Sequence, residues 1–561
     1  MKVQLTQGAY TSRSLSASAQ RCVNLYPEID PSDSEFPVSH YPTPGLTLLA
    51  NCPGPGVARC EFTASNGALY RVIGTNVYYV DSGWNHHLLG AIASGTTPCS
   101  MADNGLVVVL VDGTTAGYAI DLATQRFAAI TSPAFLGADK VDYVDTYFVF
   151  NQPGTGSIYL SIQLPAFADL TTAGVLAGTI TGGSGYTNGT YTNVALTQGS
   201  GSGAVATITV SGGAVTAVSI TIPGIDYANT DVLSANSASI GGGSGFLWTL
   251  ITAGAFNSLD IASPSGAAGN VISVAVAHRN IWIMKANSTE IWSNTGAADF
   301  PFEEAPGAYV EHGCAAKYSV AVNDGSVFWI AKDKAGTAIV VRGEGYAAKR
   351  ISTHCVENII SQITLSDAVG FCYQQGGHTF YQLTFPTGNQ TWVYDIATDL
   401  WHERVWTDTN GQENRHRAQL GTFAYSTNVV GDWQTGALYS YDLNNYTDNG
   451  SPIVRRRGFP HMASDGDRVF FRQFIADMEV GNYAGGKSSA EPLCFLRWSD
   501  SRGYDWGQPI SEGMGATGQY KRSVQFQRLG MGRDRVFELF WSAPVPTCLN
   551  GAYIDVSKAA T

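Results

Sequence analysis

A strand, a tight turn and a second strand recur along the chain, and the pattern is clearest at residues 392–402 (WVYDIATDLWH). Large side chains alternate up to Asp395, a polar turn follows, and Trp401 opens the next strand. The carboxylate at the strand end can accept hydrogen bonds from backbone N–H groups of the turn. The aromatic residue that follows can bury a large area against the next sheet. The same pattern occurs at residues 77–84, 118–127 and 438–446.

The repeat has the length of one propeller blade. Asp81 and Asp121 lie 40 residues apart, and a four-stranded blade takes about 40–45 residues. Residues 106–111 (LVVVLV) form a fully apolar run, which predicts a buried central strand. We therefore interpret residues 51–170 and 255–449 as two parts of one β-propeller with radially stacked antiparallel blades, without a blade count.

Composition changes sharply between these two parts, at residues 171–254, where Gly, Ser, Thr and Asn dominate and charge is almost absent. Residues 206–210 and 215–222 alternate with period two around a Ser-Gly-Gly turn, which is typical of a β-hairpin. A disordered linker is the alternative interpretation. The alternation and the aromatic residues favour a small folded Gly-rich β-module inserted into the propeller. These aromatic residues are Tyr186, Tyr191, Tyr227 and Trp248.

The two ends of the chain differ from the blades. Residues 1–50 show little periodicity, and proline, which cannot donate to a strand ladder, predicts an N-terminal arm or platform laid over another surface. This stretch contains Pro27, Pro31, Pro37, Pro42 and Pro44 together with Tyr26, Phe36 and Tyr41. Residues 450–561 contain longer strand patterns, which favour a β-sandwich-like domain, with a boundary near Asn449. The predicted fold is all-β: a β-propeller, an inserted Gly-rich β-domain and a C-terminal sandwich.

Composition supports this class and excludes several functions. Charged residues are 14% of the chain against about 25% in typical domains, whereas there are 63 Gly, 27 Tyr and 24 Phe. The formal charge of −13 argues against a nucleic-acid reader with a basic face. Nine cysteines without a C-x-x-C pair indicate neither a disulfide framework nor a zinc ribbon. The N-terminal sequence and the lack of 18 consecutive apolar residues predict neither Sec export nor a membrane span.

Candidate metal ligands are few. The neighbouring histidines and cysteines are His312 with Cys314, His354 with Cys355, and His86 with His87. A zinc site needs about two more ligands than any of these pairs supplies. We interpret the first two pairs as packing residues and the third as a surface pair, and we predict no metal, no cofactor and no catalytic residue. The Gly-rich segments lack G-x-x-x-x-G-K-[ST], so phosphate binding is not expected.

A glycan-binding or glycan-hydrolysing propeller is the alternative function. Residues 499–506 (SDSRGYDW) approach the S-x-D-x-G-x-x-W turn of sialidase-type propellers, but the third position is serine and the turn occurs once. A glycosidase needs two carboxylates across a cleft, and a pair such as Glu303 and Glu304 is adjacent on the chain. In this interpretation Trp401 and Trp406 stack on sugars. Hydrolysis of bacterial surface polysaccharides would separate an enzyme from a scaffold.

Arg455, Arg456 and Arg457 form the only compact basic run in the sequence. One interpretation is a solvated edge charge that prevents strand-to-strand aggregation. The other is a run that faces a neighbouring subunit or passing DNA.

Several separated motifs, in order, resemble the tail hub or tail nozzle family of short-tailed bacteriophages, also called packaged-DNA stabilisation proteins. The motifs lie at residues 19–46, 275–303, 312–330, 349–360, 495–507 and 524–543. The likeness covers essentially the whole chain except residues 171–254. That segment resembles a Gly-rich β-module of various phage virion proteins.

The resemblance implies a non-enzymatic virion protein that forms a homo-oligomeric ring, a hexamer, below the portal and its adaptor. Such a nozzle extends the portal-adaptor channel, helps to retain packaged DNA and conducts it on ejection. It also docks tail fibres or tailspikes and a tail needle or plug, and double-stranded DNA passes through it without sequence specificity. The expected location is the virion tail, after assembly in the host cytoplasm.

Overall fold

The structure is a computed structural model, and it describes thirteen stretches of the chain. They are residues 2–5, 11–30, 37–93, 95–132, 134–171, 174–225, 227–228, 230–253, 255–297, 300–332, 335–463, 466–483 and 491–558. Within them the fold is almost entirely β, with short α-helices at Phe167–Thr171 and His354–Ile360. No helix in these stretches is long and apolar enough to cross a bilayer.

Seven antiparallel blades form a ring in the described part of the chain. The first strand of each blade is innermost and contacts the first strands of the neighbouring blades, and blade seven contacts blade one. Blade one comprises Ala58–Thr63, Leu69–Ile73, Asn76–Val80 and His86–Ala91; blade two comprises Ser100–Asp103, Val107–Val111, Gly117–Asp121 and Phe127–Ala129. Blade three comprises Val141–Val144, Tyr147–Asn151, Ile158–Ser161 and Phe256–Ala262; blade four comprises Val271–Ala277, Asn280–Lys285, Thr289–Asn294 and Phe302–Val310.

The remaining blades follow the same plan with one exception. In blade five, both Gly313–Cys314 and Ala321–Asn323 pair with Ser326–Lys332, and the blade continues with Ala338–Glu344 and Ala347–Arg350. Blade six comprises Val369–Gln375, His378–Phe385, Gln390–Asp395 and Leu400–Glu403. Blade seven takes Ala418–Ala424, Thr427–Asp432 and Leu438–Asp442 from one region and its fourth strand, Gly45–Ala50, from the beginning of the chain.

The aspartate turn predicted from the sequence is confirmed, and it marks the end of the third strand of a blade. In blade six, Asp395 accepts a hydrogen bond from the backbone N–H of Ala397 at 3.0 Å. Asp81 and Asp121 accept equivalent bonds in blades one and two, both at 2.9 Å. Asp442 does so in blade seven at 2.8 Å, after which the chain leaves the propeller. The 40-residue spacing between Asp81 and Asp121 therefore corresponds to one blade.

An inserted module separates the third and fourth strands of blade three. Its sheet contains Val175–Ser184, Gly189–Thr197, Val205–Ser211, Ala214–Ile222, Val232–Ala235 and Ser244–Ala253. The predicted hairpin is present, because Gly212 and Gly213 turn the chain with φ of 64° and 78°, values that favour glycine. Fifteen buried residues between Val175 and Leu250 pack into a core of their own, separate from the cores between blades.

We expect the propeller to fold without this module. Its first and last strands pair at Val175 and Ala253, so the two ends lie close together, while Leu170 and Ala255 remain buried in the core shared by blades two and three. A deletion that joins Leu170 to Ala255 should therefore stay soluble and keep most of the thermal unfolding transition, measured by circular dichroism. Aggregation of the shortened chain would contradict an independent module.

The C-terminal part forms a sandwich that also uses N-terminal strands. One sheet contains Lys2–Gln4, Leu25–Ile29, Val38–Pro42, Val469–Glu479, Val524–Gln527, Met531–Gly532 and Cys548–Lys558. The other contains Cys22–Val23, Arg455–Gly458, Met462–Ala463, Leu493–Ser499, Ile510–Gly513 and Asp534–Trp541. Buried side chains from both sheets, including Leu25, Phe474 and Leu539, form a shared core.

The N-terminal segment is therefore not an arm that waits for a partner. Tyr26 is only 8% exposed, and its ring lies edge-on to Phe380 of blade six with 5.6 Å between ring centroids. Tyr41 packs against Tyr26 at 5.9 Å, and Phe36 lies outside the described residues. Proline is tolerated here because Pro27 occupies the edge strand of its sheet, where no ladder donor is needed.

Candidate functional site at the joint between propeller and sandwich

The basic run, interpreted from sequence either as a solvated edge charge or as a run that faces a subunit or DNA, lies inside the joint between the two domains. Its strand, Arg455–Gly458, pairs with Cys22–Val23 on one side and Asp534–Trp541 on the other. Arg455 and Arg457 are fully buried, and burial lowers the pKa of Arg455 to about 10. In this structure the two side chains are therefore neither a solvated edge charge nor exposed to a neighbour or to DNA, which differs from both interpretations of the sequence.

Backbone carbonyl groups accept hydrogen bonds from both buried guanidinium groups. Arg455 donates to the carbonyl oxygens of Ala543 and Tyr446, both at 3.4 Å, and Arg457 donates to the carbonyl oxygen of Gly458. Because a buried charge is costly unless it is hydrogen-bonded, these contacts hold the linker from Tyr446 against the sandwich.

The middle arginine belongs to an ion-pair network that joins four segments of the chain. Arg456 contacts Glu413 at 2.8 Å and Glu538 at 3.0 Å. Glu413 also contacts Arg21 at 3.2 Å, and Arg21 contacts Glu403 of blade six at 2.6 Å. Burial acts to raise the pKa of Glu413, but Arg21 and Arg456 together hold it below its usual value. The network keeps the two domains in one relative position.

The same joint is continuous in its backbone. Val23 pairs in parallel with Glu403, the last residue of blade six, and Cys22 pairs with Arg457. A single sheet consequently runs from blade six into the sandwich. A cavity of about 340 Å³ lies beside it, lined in part by Thr11, Asn389 and Trp392. The joint is therefore connected by backbone hydrogen bonds as well as by the ion-pair network.

A second cavity, of about 370 Å³, marks one end of the propeller axis. Its lining comes from five blades, at or near the start of their innermost strands. Lys317 there is paired with Asp139 at 2.5 Å, and Arg415 stacks on the ring of Trp433 at 4.0 Å. Burial lowers the pKa of Arg415 to about 10. The charges of both signs at this end are thus already engaged within the chain.

The histidine and cysteine neighbours act in packing where their contacts are described. Cys314 is buried and donates to the carbonyl oxygen of Ala316 at 3.1 Å, and burial raises the pKa of its thiol to about 12. Cys355 is buried at the start of the second α-helix. His87 contacts Asp81 at 3.0 Å. Across the thirteen described stretches, no three His, Cys, Asp or Glu residues are grouped closely enough to hold a metal ion.

Trp401 and the sialidase-like turn, both considered for glycan recognition, have structural contacts. Trp401 is 7% exposed and its indole N–H donates to the carbonyl oxygen of Ile351 at 2.8 Å, so it cannot stack on a sugar. In the sialidase-like turn, the hydroxyl of Ser499 accepts a bond from the N–H of Gly503 at 2.8 Å. Arg497 stacks on Trp506 in the same turn at 4.8 Å. The turn thus closes a loop of the sandwich.

Two family models match the chain, and together they span both domains. The model described as bacteriophage P22 Gp10, beta-propeller, matches residues 1–169 and 203–446. The model described as bacteriophage P22 Gp10, beta-sandwich, matches residues 455–557. The gap between the two models falls at the joint, just before the strand that carries the arginine run.

Comparisons with individual proteins do not identify a relative of this chain. No curated protein sequence matches the chain. Similar solved structures include the computationally designed Ika8 protein, with 11% identity over 75% of this chain and 100% of that one, and a TM-score of 0.33. The WD40 beta propeller domain of Doa1 has 9% identity over 71% of this chain and 98% of that one, also with a TM-score of 0.33. Overlaps this low identify no relative, whereas the two family models cover most of the chain, which therefore belongs to the bacteriophage P22 Gp10 family and is a tail hub or nozzle protein of a short-tailed phage.

Proposed function

We propose that this protein is the subunit of a homo-oligomeric nozzle, a ring of six copies that extends the channel of the portal and its adaptor. The ring helps to retain packaged DNA, conducts it on ejection and docks tail fibres or tailspikes and a plug. It assembles in the host cytoplasm. The observation that carries the proposal is the joint, where one sheet and an ion-pair network connect the propeller to the sandwich, because a conduit under load needs its domains held in fixed positions.

Two features of the joint support this role. The sheet that crosses from blade six into the sandwich is continuous. The ion-pair network around Arg456 and Glu413 ties the N-terminal segment, the propeller and the sandwich together. Because these side chains are only partly exposed, their ion pairs are less screened by solvent than surface pairs and favour this one arrangement of the two domains.

Electron microscopy of virions tests the proposed place and stoichiometry. Antibodies against the chain should label the tail immediately below the portal, and a reconstruction should place six propellers around the channel. Virions assembled without the chain should lose their DNA. Label on the head, or full DNA retention without the chain, would contradict the proposal.

We further expect the purified chain to leave duplex DNA unshifted in a gel at roughly 50 mM salt. Non-specific binders reach dissociation constants of about 10⁻⁴ to 10⁻⁶ M even at physiological salt, and every phosphate contact would slow a sliding polyanion. The charge of −13 opposes such contacts, and Arg455 and Arg457 are buried. Retention of DNA is then mechanical, by plugging.

Micromolar affinity with a steep salt dependence would contradict this expectation. A slope near −0.9 per phosphate in a plot of log affinity against log salt concentration would give the number of contacts. A titration between low and physiological salt provides that measurement.

A further inference from the structure

The positive charge of this protein is concentrated at its C-terminal end. Residues 455–561 contain 14 Lys and Arg against 11 Asp and Glu, whereas the whole chain has 32 against 45. By subtraction, residues 1–454 contain 18 against 34. The sandwich thus carries a small positive charge, while the propeller and the N-terminal segment together carry a charge of −16. The two ends of one copy are electrostatically complementary to each other.

Part of this positive charge surrounds an exposed apolar pair. Phe470 and Met531 are partners on adjacent strands and are 41% and 42% exposed. Arg468 lies two residues before Phe470 and Arg472 two residues after it, while Arg528 lies three residues before Met531 and Arg533 two residues after it. All four are exposed, and the backbone N–H of Arg528 donates to the carbonyl oxygen of Arg472 at 3.1 Å. We name this surface the arginine face: Arg468, Phe470, Arg472, Arg528, Met531 and Arg533.

The composition of the arginine face fits a protein partner better than DNA. Arginine, aromatic residues and methionine are the residues enriched at the centres of protein interfaces. Exposed Phe470 and Met531 offer nothing to a phosphate backbone, but they gain free energy when another protein covers them. A partner for this face needs apolar side chains beside carboxylates.

The outer edges of blades three and four offer that combination on the same chain. Glu303 and Glu304 are exposed on Phe302–Val310, the last strand of blade four. On the last strand of blade three, Leu259 is 73% exposed and Ile261 is 38% exposed. These four residues lie on the last strands of two neighbouring blades, and we name them together the acidic edge: Leu259, Ile261, Glu303 and Glu304. The sandwich joins the ring at blades six and seven, so the acidic edge lies elsewhere on the ring.

We propose that the arginine face of one copy docks on the acidic edge of a second copy. This inference rests on the proposed function, since it supplies the contact that the ring requires. Two different surfaces of one chain meet in such a contact, and a head-to-tail arrangement of this type closes into a ring when the rotation between copies permits. The charges select the partner surface, and the apolar pairs are buried between the copies.

Charge reversal tests the contact by sedimentation velocity at low ionic strength. One variant carries Arg472→Glu and Arg528→Glu, and the other carries Glu303→Arg and Glu304→Arg. Each alone should weaken self-association by about 100-fold or more, because like charges then face each other. An equimolar mixture of the two should associate again, since each arginine-bearing surface now meets a glutamate-bearing one. Circular dichroism verifies that both variants are folded.

The control reverses two charges outside both surfaces. It carries Lys332→Glu and Lys349→Glu, and both lysines are exposed on blade five. This variant should associate like the unmodified chain. If the unmodified chain associates and the two variants associate equally well, the proposed contact is wrong. The contact is also wrong if association does not return in the mixture. Neither result contradicts the ring of the proposed function. An unmodified chain that remains monomeric at every concentration would contradict both the contact and the self-association in the proposed function. A DNA complex lost specifically in the arginine variant would assign the arginine face to DNA and overturn the contact.

Discussion

Removal of residues 1–50 is expected to abolish the cooperative unfolding transition of the chain. This segment supplies the fourth strand of blade seven, where Leu46 pairs with Tyr441, and strands of both sandwich sheets. Cys22, Val23 and Leu25 are among the residues it buries. Each fully buried apolar side chain contributes about 1.5–3 kcal/mol, and the total stability of a domain is about 5–15 kcal/mol. The loss is thus comparable with the whole stability.

Differential scanning calorimetry and size-exclusion chromatography measure this outcome. The matched control is the deletion that joins Leu170 to Ala255, which removes more residues but leaves all strands of the seven blades in place. That variant should keep its transition while the N-terminal deletion loses it. A folded, monomeric chain without residues 1–50 would show that the ring closes without Gly45–Ala50.

The second large effect is expected at a buried ion pair in blade one. Arg71 contacts Glu61 at 2.8 Å, and both side chains are fully buried. Arg71 also donates to the carbonyl oxygen of Gly436 in blade seven at 3.1 Å, across the seam where the ring closes. Replacement Arg71→Met leaves the Glu61 carboxyl group buried without its partner. We expect a loss of about 3–5 kcal/mol in the free energy of unfolding, measured by urea denaturation.

An exposed ion pair provides the control for that measurement. Arg279 contacts Asp145 at 2.7 Å, but its side chain is 82% exposed, so Arg279→Ala should change the stability by no more than about 1 kcal/mol. The double replacement Arg71→Met with Glu61→Leu should recover part of the loss, because it removes both buried charges. Equal effects of Arg71→Met and Arg279→Ala would contradict the role assigned to the seam.

Local patterns in the sequence predicted local structure well. The turn at Asp395 and the hairpin at Gly212 and Gly213 depend on residues that are near each other in the chain, and both are present. The buried strand predicted at residues 106–111 is present as Val107–Val111, while Leu106 is 48% exposed at its edge. In these cases hydrogen bonds and alternation over a few residues decide the conformation.

Pairing between distant segments left no such local pattern. Nothing in residues 45–50 indicates that they complete a blade formed by residues 418–442. The proline-rich N-terminal segment suggested an arm because proline disfavours sheet interiors, but edge positions and aromatic packing around Tyr26 accommodate it. Its interpretation from sequence was wrong because the partner surface belongs to the same chain.

The burial of Arg455 and Arg457 was not expected from the sequence for a related reason. Three consecutive charges indicate a surface, yet on a strand alternate residues share a face, and Arg455 and Arg457 point into the joint. The available signal was distributed over single acidic residues, Glu403, Glu413 and Glu538, each in a different segment. Only the three-dimensional structure brings these carboxylates around Arg456 and Arg21.

Blade seven can be completed only late in synthesis, because its strands come from distant parts of the chain. Gly45–Ala50 leaves the ribosome early, but its partner strand, Leu438–Asp442, follows about 390 residues later. At about 5–20 residues per second, the early strand waits roughly 20–80 s with its ladder groups unpaired. Edge strands in that state associate readily with other chains. We therefore expect slower translation to increase the aggregation of incomplete chains, measured by sedimentation of newly made protein, before any change in the folded protein appears.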